Sequence, residues 1–307
     1  MTQHDLINDP EFGFMRLEPI PGLERVERLY REEYYAEDYK PFHEAGQKSK
    51  ERDADYNEPR YRQIFKAAGD RLGDLTGRRM LDLGCGFGGL LRSAQGHGLK
   101  AAGCDLSPKA VEYVKERGGE CLAANVETDF RPPDRERYDL VTMLCLLQHL
   151  RDPARTLFKV RDEWLAEDGV LVVEVPNEFN TFQKVADKEY DLGQWWVSVP
   201  EHIAYFTPES LRDLLEGCGY RVFDLYANFP MELFLLMGEV YVGNQDLGGQ
   251  CHQKRSRFEE LMRKHGREEE MMSLYRALAA QGLGRQITML AVPDPYSKRI
   301  EPEIQGD

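Results

Sequence analysis

The densest chemical signal in the chain is the run Leu81-Asp82-Leu83-Gly84-Cys85-Gly86-Phe87-Gly88-Gly89. Apolar residues precede it and helix-forming residues follow it, so it reads as a glycine-rich turn between a strand and a helix. Missing side chains let the backbone pass close to a ligand, and the first N–H groups of the helix face an anionic group. Asp105 ends the next apolar run. Its carboxylate can accept hydrogen bonds from both hydroxyls of a ribose lying across the crevice of an open sheet. Gly84, Gly86 and Gly89 literally satisfy G-x-G-x-x-G, and Asp105 stands near the spacing expected for a dinucleotide. On these residues alone a nicotinamide cofactor, another nucleoside, or a tight turn that binds nothing all remain open.

The surrounding residues resemble the class I S-adenosylmethionine-dependent methyltransferase family. Asp82-Leu83-Gly84-Cys85-Gly86-Phe87-Gly88 is similar to the family's first motif, and Asp105-Leu106-Ser107 to its acidic second motif. Ala124-Asn125-Val126-Glu127 falls where the family binds adenine, Tyr138-Asp139-Leu140-Val141 and Leu147-Gln148-His149-Leu150 look like its fourth strand and following turn, and Leu165 to Leu171 like the loop before its fifth strand. The resemblance covers roughly Arg78 to Tyr226 plus the last strand. It implies S-adenosyl-L-methionine as cofactor and S-adenosyl-L-homocysteine as product. Gly84, Cys85 and Gly86 would border the methionine moiety and ribose, Asp82 would help hold the amino group through water, and Asp105 would bind the ribose hydroxyls. Leu106 would pack on adenine and the Val126 N–H would meet a ring nitrogen. Asn125 stands where the family commonly has Asp, and its amide oxygen would accept from the exocyclic amine. The backbone near Leu144 would accept from the ammonium.

Methyl transfer from a sulfonium is a displacement in which the protein supplies positioning and electrostatics. A neutral oxygen or nitrogen acceptor must lose a proton, so a base is sought near the strand ends. His149 follows the fourth strand and reads equally as a base or as a structural histidine. Glu174 ends the fifth strand and would reach the pocket. Glu178 lies just beyond it, as a base or a solvated loop carboxylate. His202 and Tyr205 lie in Glu201-His202-Ile203-Ala204-Tyr205-Phe206-Thr207-Pro208, behind the paired Trp195 and Trp196. His202 is read as substrate contact or base, and Tyr205 as a further catalytic candidate. No residue cluster has metal-ligand spacing, and the 6 cysteines form no C-x-x-C pair.

These residues need a scaffold, and the pattern supplies one. Seven short apolar runs, at Met80–Leu83, Ala101–Asp105, Cys121–Ala123, Leu140–Leu144, Val170–Val175, Tyr220–Tyr226 and Gln286–Val292, alternate in large part with helical stretches. The expected fold is α/β: a Rossmann-like, doubly wound, mostly parallel seven-stranded sheet. Residues 1–72 form an N-terminal arm and helical lid, 73–228 the cofactor-binding core, 229–284 a helical insertion on the substrate side or at a dimer face, and 285–307 the last core strand and tail. Met1 to Ile20 reads as a loose arm and Gln47 to Asp55 as a polar turn or mobile loop. Thr207 reads as an N-cap followed by Pro208 at N1. With Ser210 at N3, no strict capping box is expected.

Composition narrows the acceptor. With 40 Lys+Arg against 54 Asp+Glu, the 307 residues carry a formal charge of -14, which weighs against a nucleic-acid substrate. No apolar run approaches the roughly 20 residues that span a bilayer, and the N-terminus lacks a signal-peptide pattern. A cytoplasmic enzyme acting on O, N or C of a small molecule is expected, with no nucleic-acid or membrane partner and with a homodimer compatible. A nicotinamide-dependent oxidoreductase and a non-catalytic cofactor-binding module are the alternatives.

Overall fold

The computed structural model describes residues 4–34, 46–132 and 137–296, with 46–56 as backbone only. Short strands β1 (Asp5–Asn8) and β2 (Met15–Glu18) open the chain, followed by helix α1 (Leu23–Arg28), which runs into a wide helical turn at Leu29–Glu33. The long helix α2 (Gly46–Leu72) leads into the core: β3 (Arg79–Leu83), α3 (Gly89–Gly96), β4 (Lys100–Asp105), α4 (Pro108–Glu116), β5 (Glu120–Ala123), β6 (Tyr138–Leu144), α5 (Pro153–Lys159), β7 (Leu165–Pro176) and α6 (Thr181–Tyr190). Then come β8 (Ala204–Tyr205), α7 (Pro208–Gly217), β9 (Tyr220–Ala227), α8 (Glu232–Leu236), α9 (Gln245–Lys264), α10 (Glu268–Ala280) and β10 (Gln286–Pro293).

Seven strands form one sheet in the order β5-β4-β3-β6-β7-β10-β9. β3 to β7 pair in parallel, while β10 lies antiparallel to both β7 and β9. The expected mixed α/β, Rossmann-like architecture is therefore present. Alternate side chains serve opposite faces, because the strand repeat is two residues. Leu81, Leu83, Val141, Val173 and Val175 join one core cluster with Leu157 of α5 and Leu214 of α7. Met80, Leu140, Val170 and Val172 join the other with Ile64 of α2, Leu91 of α3 and Tyr275 of α10. Helices thus cover both faces, which explains why the parallel strands are almost continuously apolar. The sheet order reverses between β4 and β6 around β3, and this opens a crevice beyond the strand ends.

Several expectations change. The N-terminal arm is not loose, since β1, β2 and β8 make a three-stranded antiparallel sheet. Its strands are too short for their pattern to stand out, and β8 is supplied by a segment far along the chain. The polar stretch Gln47–Asp55 belongs to α2 rather than to a loop. Strand β7 already begins at Leu165, which pairs with Tyr138, but the register then shifts and pairing resumes at Val170 with Leu140, so residues 166–169 bulge out of the ladder where a loop was expected. Thr207 and Ser210 do form a reciprocal cap. Ser210 N donates to Thr207 Oγ1 at 3.3 Å, and Thr207 N donates to Ser210 Oγ at 3.1 Å. A hydroxyl at N3 thus does the work of the usual longer side chain. The stretch Tyr35–Lys40 and the tail from Ser297 lie outside the described residues. No described helix is long and apolar enough to cross a membrane.

Candidate active site

The turn after β3 needs backbone that ordinary residues avoid. Gly84 has φ of 72°, and a Cβ there would stand 3.0 Å from Leu146. Gly88, the N-cap of α3, has φ of 71°, and its Cβ would press to 2.7 Å from Val114. Both positions therefore require glycine. At the neighbouring strand end, Asp105 accepts from Gly86 N and Ser107 N, each at 2.8 Å. These bonds aim the carboxylate, and lone pairs remain for a ligand. Burial raises its pKa, against those two donors.

Gly84, Asp105, Leu106, Asn125 and Val126 share one wall of a cleft with Cys145, Leu146 and His149. The Val126 N–H donates to none of the described backbone carbonyls. An apolar shelf beside an open backbone N–H, facing an aspartate pinned by two N–H groups, fits an adenosine. The carboxylate meets the diol, the shelf takes the base, and the N–H meets a ring nitrogen.

Other expected cofactor contacts sit differently. Asp82 lies on the sheet face toward α2, accepts from Thr142 Oγ1 at 2.6 Å, and has its carboxyl pushed up to about 7 by burial. Cys85 is corrected: its side chain turns away from the cleft and meets Cys121, Sγ to Sγ 3.3 Å, over Gly103. Only its backbone belongs to the turn. Asn125 is corrected in part. Its Oδ1 accepts from Glu127 N at 3.0 Å and its Nδ2 donates to Glu27 Oε1 at 3.1 Å, so the amide shapes the local turn and ties it to α1. Leu144 is half-buried at the end of β6, beside the cleft residues Cys145 and Leu146.

The helical turn after α1 contributes residues that motif reading did not single out. Tyr30 and Tyr34 line the cleft, so two of the early tyrosines reach the site. Tyr30 Oη stands 2.7 Å from His149 Nδ1 and donates to Glu201 O at 3.1 Å. His149 Nδ1 also lies 2.7 Å from Glu201 O, and its Nε2 lies 3.2 Å from Gln148 Nε2. The network assigns the proton to Nδ1, which faces a carbonyl, and makes Nε2 the acceptor from the amide. Burial lowers the His149 pKa to about 3, with His202 second among the causes. His149 is therefore a neutral histidine with both nitrogens engaged, which corrects its role as a base.

Glu174 is likewise corrected. It points from β7 toward α2, where Arg60 Nε donates to its Oε2 at 2.8 Å and Arg60 Nη2 pairs with its Oε1. Thr288 Oγ1 also donates to Oε2, at 3.0 Å. A carboxylate so held anchors α2 to the sheet, and its oxygens are committed to Arg60 and Thr288 instead of a substrate proton. Tyr205 is 2% exposed and its hydroxyl donates to His202 O at 3.1 Å. Burial holds its pKa above the usual phenol range, so it braces the loop instead of reacting.

His202 and Glu178 come together. Nδ1 of His202 lies 3.3 Å from Glu178 Oε1. Glu178 is 5% exposed, not the solvated loop carboxylate of one sequence reading. The His202 loop is held by Ile203 N donating to Gln148 O at 2.7 Å, and Glu178 N donates to Phe206 O at 3.1 Å. His202 rests edge-on against His149, ring centroids 5.1 Å apart, so it sits one ring beyond the cleft wall. Two non-glycine residues with positive φ mark the strand exits, Cys145 (53°) after β6 and Phe179 (60°) after β7. Such backbone is costly and concentrates at functional sites. No group of three or more His, Cys, Asp or Glu among the described residues could hold a metal ion.

A family described as "Methyltransferase domain" matches residues 54–225, more than half of the chain. The ubiquinone biosynthesis O-methyltransferase of Bordetella pertussis is 36% identical over 90 residues, 27% of this chain and 36% of that protein. The protein of the same name from Coxiella burnetii is 25% identical over 158 residues, 49% of this chain and 67% of that protein. The matched segment thus spans only about a third of the Bordetella relative's length. A SAM-dependent methyltransferase from Archaeoglobus fulgidus aligns with a TM-score of 0.49 at 16% identity, over 78% of this chain and 93% of that one.

Proposed function

Because the chain belongs to the methyltransferase-domain family, we propose that it moves a methyl group from S-adenosylmethionine to an oxygen or nitrogen of a small molecule. Membership in that family sets aside the nicotinamide reading. The observation that carries the proposal is Asp105, pinned by Gly86 and Ser107 across from the glycine turn and beside the open Val126 N–H.

S-adenosylmethionine supplies an electrophilic methyl on a sulfonium sulfur. Asp105 would hold the ribose hydroxyls, Leu106 and the Val126 N–H the adenine, and the backbone from Gly84 to Gly86 the methionine portion. Asp82 would face the amino group from behind. The backbone near Leu144 would accept from the same group. Tyr30 and Tyr34 would close the cleft and exclude water. His202 would take the acceptor's proton on Nε2 while Glu178 stabilises the resulting imidazolium from the Nδ1 side. His149, fixed neutral by its neighbours, would wall this space without competing for the proton. Residues 1–72 and 229–284 would serve the acceptor side, the first through Tyr30 and Tyr34, the second through Glu232 at the start of α8. The names of the relatives favour a hydroxyl acceptor, and the acidic charge favours a small molecule over nucleic acid. The described cysteines are free thiols, which suits a reducing cytoplasm.

Calorimetry with S-adenosylmethionine and S-adenosylhomocysteine tests the reading. Binding that Asp105→Ala weakens supports it. No binding by the wild type, or equal binding by the variant, overturns it. Turnover of S-adenosylmethionine with an acceptor excludes the non-catalytic alternative.

A further inference from the structure

A second group of polar atoms gathers where β7 leaves the sheet, apart from the cofactor cleft. Glu178 Oε2 is buried without a hydrogen-bond partner among the described residues, and its Oε1 approaches His202 Nδ1 without hydrogen-bond alignment. Asn177 Oδ1 and Glu232 Oε2 are buried and unpartnered in the same sense. Asn177 and Glu178 are 1% and 5% exposed, and Glu232 is 0% exposed. A buried carboxylate oxygen in this condition is costly until something donates to it.

Aromatic rings gather around the residue that follows Glu178 in the chain. Phe179 lies 5.6 Å from Trp196 and 6.0 Å from Tyr205, and Trp196 lies 4.7 Å from Trp195, centroid to centroid. The positive φ of Phe179 turns the chain immediately after Glu178, so strained backbone sits where ring and carboxylate adjoin. Among the described residues, the cation at Glu232 is already committed: Arg285 Nη1 donates to Glu232 Oε1 at 3.0 Å. Glu178 and Glu232 set against Arg285 leave one negative charge. An unanswered carboxylate beside aromatic rings is the chemistry that recognises an ammonium. A carboxylate ligand would meet like charge, and a neutral hydrocarbon would leave the buried oxygens unsatisfied.

We propose that this region is the acceptor's recognition site and takes a small molecule bearing an ammonium group, seated on Glu178 and covered by Phe179 and Trp196. This deepens the methyl-transfer reading, since it names the acceptor's class. It can also be tested separately from cofactor binding.

The full chain, with S-adenosylhomocysteine present and absent, is titrated with benzylamine, benzyl alcohol and benzoate at neutral pH. Tryptophan fluorescence is the readout, with 3 tryptophans in the chain. Benzylamine should bind at least about tenfold more tightly than benzyl alcohol, and benzoate should bind least. Glu178→Gln should abolish the preference for the amine while leaving affinity for S-adenosylhomocysteine, measured by calorimetry, unchanged. Trp196→Leu should weaken benzylamine about threefold or more and leave benzyl alcohol unaffected. It decides the matter if Glu178→Gln does not fold. Equal affinity for amine and alcohol, no binding of benzylamine, or a preference that survives a folded Glu178→Gln, or Trp196→Leu if that variant does not fold, overturns the proposal. Amine binding that depends on Glu178 in a protein that ignores S-adenosylhomocysteine would remove the methyl-transfer reading and keep the ammonium site. The reverse pattern would remove only the site.

Discussion

Asp105 and Glu178 are both carboxylates at or just past the C-terminal end of a parallel strand, yet their surroundings are opposite. Asp105 has two backbone N–H donors from residues within a short reach of the sheet, and its place follows from a glycine turn and a strand end. Among the described residues, Glu178 has a histidine at 3.3 Å from a loop farther along the chain and an oxygen without a hydrogen-bond partner, and the next residue, Phe179, joins an aromatic cluster. One region is finished by its own backbone and offers a preset cradle. The other is left electrostatically incomplete, which is the condition in which a ligand or a reacting group has something to add. The comparison teaches that the two regions ought to be separable by mutation.

The largest expected effect is on chemistry alone. His202→Ala should lower turnover by roughly 10²–10⁴-fold, the usual contribution of a general base, with S-adenosylhomocysteine affinity unchanged by calorimetry. Equal loss of both would merge the two regions. Next comes the anchor beneath them. Arg60→Ala strands the buried Glu174 carboxylate and should cost about 3–5 kcal/mol in denaturant unfolding. Adding Glu174→Leu should recover much of that loss, because no charge is then left unpaired. Asp105→Ala should weaken S-adenosylhomocysteine by roughly 10–100-fold through lost charge-assisted hydrogen bonds, and leave acceptor binding intact.

A further effect on the cofactor side is a pH dependence. Burial pushes the Asp82 carboxyl up from 3.8 to about 7. Between those values the fold retains a proton that the unfolded chain has released, so stability falls as pH rises from about 4 to 7 and is level above. The slope is at most about 1.4 kcal/mol per pH unit. Asp82→Asn should flatten it in thermal melts of the protein without cofactor. An unchanged slope would mean that another group carries it. His149 makes the opposite contribution. With its pKa depressed to about 3, its stabilising neutrality is present above the unfolded value near 6.5 and lost as pH falls through the acid range.

The cofactor half was legible because its signals are local. Gly84, Gly86 and Gly88 sit in one turn, and Asp105 ends the very next strand, so spacing along the chain stands in for distance in space. The limits of that shortcut show at Cys85, whose side chain turns into the core, and at Asn125, whose amide is spent on the turn around Glu127. On the acceptor side the types were visible but the roles were not. His149 and His202 looked alike in sequence. They differ because Tyr30, from a helical turn 119 residues earlier in the chain, and Glu201 engage one, while Glu178 faces the other. Glu174 looked like a candidate base until strand alternation aimed it at Arg60. The start of α2 was missed because Gln47–Asp55 is almost entirely polar and carries no apolar stripe, whereas the helix runs from Gly46 through Pro59.

By itself, then, the order of residues determined the alternation of strands and helices, the glycine turn, the acidic strand end, and with them the sheet and its cofactor-shaped crevice. These depend on backbone conformation and a two-residue or 3.6-residue repeat, both written into short windows. Only the tertiary structure decided which histidine is neutral and which faces a carboxylate, which glutamate is an anchor and which keeps an oxygen unsatisfied among the described residues, and that tyrosines near the N-terminus wall the cleft. Those outcomes rest on burial and on partners from remote segments, and protonation and hydrogen bonding respond to neighbours in space, not in sequence.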